Sequence, residues 1–166
     1  MFLDLNKTGV PMKQVYTLAA ALQKDPKKIA SVQALTLNAS KPLLGLKGTH
    51  GLYASPAWWT SIDNRSMPLL TISGTIQRVY VAGQDSSGKN NAIDLLADDG
   101  RVHTAGIYVN DKADIAMFRV GCLVALVYAL DELKDQPARD GGINHAEIAL
   151  EMAVSLAPVV DIDGAE

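Results

Sequence analysis

Along the first third of the chain, Val15, Leu18, Ala19 and Leu22 recur at the i, i+3, i+4, i+7 spacing that lays one apolar stripe on a helix, which predicts a helix over about Pro11–Lys24. Pro11 suits a first turn, where its missing N–H would have had no partner. Asp25-Pro26 ends that helix, since the residue before a proline is pushed out of the helical region. For 27–37 two readings stay open. Ile29, Val32 and Leu35 fit a helix, while Val32 and Thr36 tolerate a strand. Asn38–Gly51, with Pro42, Gly45, Gly48 and Gly51, reads as loop. Ser55 then offers an N-cap and Pro56 a first helical residue for a short helix carrying Trp58 and Trp59.

From Leu69 the period changes to two. Leu70, Ile72, Gly74 and Ile76 alternate with Thr71, Ser73, Thr75 and Gln77, as in a half-buried strand. The phase then flips: Val79 and Val81 become the apolar set, which predicts a bulge or bend, with Gly74 permitting close backbone approach. Residues 83–91 read as loop, Ala92–Ala97 as a second strand, Asp98-Asp99-Gly100 as a hairpin turn and Arg101–Val109 as a third strand. Asn110 or Asp111 caps a short helix ending near Phe118, and Gly121 stops it. Leu123–Leu130 is apolar on both parities, as a central strand is, and Asp131–Asn144 reads as an acidic loop. In His145–Leu156, Ala, Glu, Leu and Met favour helix, but Ala146, Ile148, Leu150, Met152, Val154 and Leu156 keep a strict period of two. That outweighs propensities of a few tenths of a kcal/mol per residue, so a strand is expected.

The expected fold is therefore mainly β (α+β): five strands, with a short helix between the third and fourth. Over about 69–156 this order resembles the OB-fold, a partly open Greek-key barrel, on the long bent first strand with its glycine, the Asp-Gly hairpin and the Phe118–Gly121 entry to the fourth strand. The expected domains are a basic helical and loop extension (1–66) packed on the barrel, an OB-like β-barrel (67–157) and an acidic tail (158–166).

Composition bounds the remaining choices. Apolar residues at 48% and charged residues at 20% of 166 exclude disorder over most of the length. The longest uncharged apolar run, Val120–Leu130, is 11 residues, too short for a membrane-spanning helix. Asp4 stands where a signal peptide needs its apolar core, and one cysteine, Cys122, allows no internal disulfide, so a cytoplasmic location is expected. His50, His103 and His145 have no short metal-ligand spacing, and no Gly-x-Ser-x-Gly elbow exists; no enzyme activity, metal or cofactor is expected. The run Gly45-Leu-Lys-Gly48-Thr-His-Gly51 lacks the Gly-Lys-Ser/Thr order of a phosphate loop and reads as flexible loop.

Charge is uneven. Residues 1–66 carry eight bases against three acids, a net of +5, and residues 67–166 seven bases against fifteen acids, a net of −8. The resemblance implies a binding face on strands two and three with flanking loops. That face offers Arg101, His103 and Tyr108, beside an acidic loop containing Asp131, Glu132 and Asp135, which would repel a phosphate backbone. Two adjacent tryptophans on a short helix point about 100° apart, so one of Trp58 and Trp59 packs inside and the other is either half-buried or part of a contact surface. The expected function is a binding module for a protein or small ligand, using Trp58, Trp59, Arg101, His103, Tyr108 and the acidic loop. The alternative is single-stranded nucleic acid held by Lys13, Lys24, Lys27 and Lys28. Edge strands would allow a homodimer, although nothing in the pattern calls for one.

Overall fold

The computed structural model describes residues 2–83, 88–137 and 142–159, with 135–137 described by their backbone alone. The fold is mainly β with a few helices, the α+β class the sequence predicts. Its elements are β1 (Met12–Thr17), α1 (Leu18–Lys24), α2 (Pro26–Leu37), α3 (Pro56–Asp63), β2 (Leu69–Tyr80), β3 (Ala92–Leu96), β4 (Val102–Gly106), β5 (Leu123–Pro137) and β6 (Ile143–Ser155), with a 3-10 helix at Lys112–Met117 before β5. The strands form one sheet in the order β1-β6-β5-β2-β3-β4, and the pairs β1–β6, β2–β3 and β3–β4 are antiparallel.

The sixth strand corrects the reading of Pro11–Lys24 as one helix. Met12–Thr17 is β1, paired with β6 from Met12 opposite Ser155 to Thr17 opposite Glu151, and only Leu18–Lys24 is helical. Val15, Tyr16 and Thr17 are β-branched or aromatic and lose rotamer freedom in a helix, so the ladder to β6 overrides an apolar stripe that begins among them. Pro11 opens no helix; its carbonyl accepts from Leu156 N at 3.0 Å.

The chain divides into two compact units, and β2, β5 and β6 run through both. The first comprises Met1–Leu18, Thr71–Val127 and Ala149–Glu166. Ile76, Ile93, Leu95, Leu126, Met152 and Val154 make its core, with free Cys122 buried at the start of β5. The phase flip in β2 is a register shift between Ile76 and Arg78. At Gly74 a Cβ would lie 2.6 Å from Leu96 O, so only glycine fits. The hairpin turn closes with Gly100 N donating to Ala97 O at 3.0 Å, and Asp111 caps the 3-10 helix through Ala113 N at 2.9 Å. β6 is a strand, as its period predicts, and within this unit Ala149–Ser155 are all buried. Burial of both parities means that both faces of the strand are covered over this stretch. Buried Glu151 turns its Oε1 to Phe2 N and Leu3 N at 2.9 and 2.8 Å, which solvates the carboxylate with backbone donors.

The second unit comprises Ala19–Leu70 and Tyr128–Ile148. The segment 27–37 is helical. Pro26 stands in its first turn, and Asp25 occupies the N-cap position without a side-chain cap bond. Ser55 caps α3 by accepting from Trp58 N at 3.3 Å, and Pro56 follows, as expected. β5 extends to Pro137, which corrects the reading of 131–137 as loop. Loop residues 45–47 account for this. They add a bridge at Leu46–Leu133, flanked by Lys47 N to Glu132 O (2.9 Å) and Lys134 N to Gly45 O (3.0 Å).

Candidate partner-binding surface

In the second unit α3 sets two tryptophans at right angles. Trp58 is fully buried, and its indole Nε1–H donates to Asp131 Oδ2 at 2.9 Å. Tyr53 meets its ring edge-on at 5.2 Å between centroids. Trp59 packs edge-on against Trp58 at 4.9 Å, an interplanar angle of 84°, and stays half-buried. It lines an open, largely apolar depression of about 200 Å³ together with Ala19, Leu22, Gln23, Ile29 and Ala54. One indole buried and the other half-buried is one of the two arrangements the sequence allows.

Asp131 is the hidden part of this arrangement. It is fully buried, and its Oδ1 has no hydrogen-bond partner. Burial pushes its carboxyl above the usual carboxylate range, and Glu132 pushes the same way. The Trp58 indole, His50 and a backbone bond with Glu132 oppose the rise without cancelling it. Asp131 therefore holds Trp58 from within and presents no exposed carboxylate to a partner, which corrects its placing in an exposed acidic loop. Glu132 is half-buried and accepts from Thr49 Oγ1 at 2.8 Å. The side chain of Asp135 lies outside the described residues.

Lys134, which sequence reasoning passed over, is buried. Its Nζ donates to Leu35 O (2.6 Å), Lys41 O (3.0 Å) and Asn38 O (3.3 Å), using all three protons on carbonyls at and beyond the C-terminus of α2. Gln33 Nε2 donates to Tyr53 O at 2.8 Å. α2 is thus fastened through its C-terminal half, whereas Ile29, near its N-terminus, lines the depression. No residue of α2 is fully buried, and Lys24, Lys27 and Lys28 are exposed around its start.

The remaining candidates belong to the first unit. β4 ends at Gly106, so Tyr108 lies beyond it, against Tyr16 at 5.7 Å between centroids. Burial, and then Tyr108, push the Tyr16 hydroxyl above its usual range. His103 is half-buried, and exposed Arg101 lies 3.8 Å from Asp99 in the hairpin turn. Lys13 bonds Asp114 at 2.7 Å, so it is committed within the fold and is not spare for a phosphate. A cluster absent from the sequence expectations lies across β2, β3 and β4: the Arg78 guanidinium sits 4.1 Å over the Tyr80 ring, and Tyr80 Oη and Thr104 Oγ1 both donate to Asp94 Oδ1 at 2.9 and 3.0 Å. The bulge after Ile76 was its only sequence signal, because it sets which side chains of β2 meet β3. Among the described residues no group of three or more His, Cys, Asp or Glu could hold a metal ion.

Residues 12–155 match the family profile of Immunity protein RhsI2. The chain belongs to this family. Membership in an immunity-protein family points to a protein-binding role, consistent with a non-enzymatic interaction protein, and gives the nucleic-acid alternative no support. Over 86 residues the chain is also 28% identical to the histamine H1 receptor of Cavia porcellus, a stretch covering 48% of this chain and 17% of the receptor's length. No helix among the described residues is long and apolar enough to cross a membrane, and that short likeness carries no role across.

Proposed function

We propose that this RhsI2-family chain is the immunity partner of a protein toxin, and that it acts by forming a stoichiometric complex that holds the toxin inactive. The observation that carries this reading is the family match over 12–155, which takes in every strand of the sheet. Side chains held by hydrogen bonds, as Trp58 is by Asp131, suit such a task, because little conformational entropy is lost on docking. We read the five strands from Leu69 to Ser155, with the 3-10 helix between the third and fourth, as an OB-like core to which β1 adds a sixth. We also place the chain in a reducing, cytoplasmic compartment, where free Cys122 stays reduced.

The test is co-production with the chain's cognate toxin domain. Cells making both proteins are expected to grow, and the two to co-elute as one species in size-exclusion chromatography. Growth arrest despite soluble immunity chain, with separate elution, would refute the proposal.

A further inference from the structure

Resting on that reading, we infer that the face formed by the Trp59 depression and the start of α2 takes an acidic segment of the toxin, with one apolar side chain of that segment seated against Trp59. Three observations converge. The depression of about 200 Å³ is open and matches a single large apolar side chain, and it is walled by Trp59, Leu22 and Ile29. Trp59 is already fixed: its ring rests on Trp58, which Asp131 and Tyr53 hold in turn. A preset indole loses little rotamer freedom on contact, and tryptophan is the residue type most enriched among binding hot spots.

The charge around it selects the partner. Across α1, the Asp25 junction and α2, three lysines (Lys24, Lys27 and Lys28) face one acid, Asp25, a net of +2. Lys27 and Lys28 occupy the second and third positions of α2, beside the positive end of the helix dipole, where cations weaken the helix. They lie immediately before Ile29, and Lys24 immediately after Gln23, and both Ile29 and Gln23 line the depression. Basic charge held where the helix itself disfavours it, next to an open apolar hollow, is complementary to a carboxylate-bearing segment with an apolar anchor. The helix is ready to be covered there. It is tied down at Gln33 and through the carbonyls Lys134 holds, while no residue along it is fully buried.

The experiment measures binding of the purified toxin domain to immobilised full-length chain by biolayer interferometry at about 50 mM and 500 mM salt. Lys27→Glu/Lys28→Glu is expected to slow association about tenfold or more at low salt, with the difference shrinking at high salt, since such charges act through steering. Trp59→Ala is expected to raise Kd about thirtyfold, mainly through faster dissociation. An unchanged circular dichroism melt for the lysine variant establishes that its fold is intact, whatever the tryptophan variant does. Both variants within about twofold of the parent would overturn the surface and leave the immunity role standing. A parent chain that does not bind would overturn the immunity role, and the surface with it. A change in oligomeric state with unaltered toxin binding would assign the face to a second copy and overturn the inference too.

Discussion

Replacing Trp58 by Phe isolates the bond that ties α3 to β5. A phenyl ring takes the place of the indole, and the Nε1–H that donates to Asp131 at 2.9 Å is lost. Asp131 is fully buried and its other oxygen already lacks a partner, so the variant leaves the carboxyl with one donor fewer and no access to water. A hydrogen bond to an ionised group contributes about 1.5–3 kcal/mol, one to a neutral group about 0.5–1.5 kcal/mol, and shrinking indole to phenyl in a packed core adds ~1 kcal/mol at every pH. The sign of the pH effect follows from the raised carboxyl. Because Asp131 holds its proton more tightly folded than unfolded, the protonated form stabilises the fold; that contribution is complete below the unfolded value near 3.9 and lost as pH rises through the folded one. Losing the indole donor raises the folded value further, so the variant's deficit grows with pH. The expected loss is about 2 kcal/mol at pH 4.5 and about 3 kcal/mol at pH 8.5, with the latter moving a urea midpoint by about 1–3 M. Urea titrations followed by far-ultraviolet circular dichroism at both pH values read this directly. A loss below about 0.5 kcal/mol, or one larger at pH 4.5 than at pH 8.5, would refute the role given to the pair.

Other outcomes follow from single contacts. Lys134→Met keeps much of the side-chain volume but releases the carbonyls of Leu35, Asn38 and Lys41, and is expected to cost about 3 kcal/mol in urea unfolding, with early loss of amide protection in α2. Gly74→Ala drives a methyl group to 2.6 Å from Leu96 O, a backbone atom, and is expected to destabilise by about 2 kcal/mol or more; a melt within 2 °C of the parent would contradict that close approach.

Where the chain signals through period, the pattern reads through to the structure. The flip from Ile76 to Val79 appears as a register shift, and the alternation in His145–Leu156 defeats the helix-favouring composition there. Period was misleading at Val15–Leu22, where four residues sample strand and helix alike and the decision falls to β6, far along the chain. The candidate surface was half legible. Adjacent tryptophans on a capped turn announce that one indole is outward, but which one depends on Asp131, and its burial follows from the bridge of Leu46 to Leu133, a pairing no local pattern encodes. Charged residues in a run, as in Asp131 to Lys134, read as solvated when taken one at a time. Two of them are buried because an indole N–H meets one and three carbonyls meet the other.

The ladder between β1 and β6 also has a bearing on how the protein is made. Leu3 N reaches Glu151 across 148 positions of sequence, and β1 finds its neighbour in the same stretch. At a ribosomal pace of about 5–20 residues per second, this first strand waits roughly 7–30 s for its partner to emerge. Through that interval Val15, Tyr16 and Thr17 stand as an unclaimed strand, and the sheet cannot be completed from the segments already made. Under the immunity role proposed above, protection would lag synthesis by that interval, which favours translating this chain early or in excess.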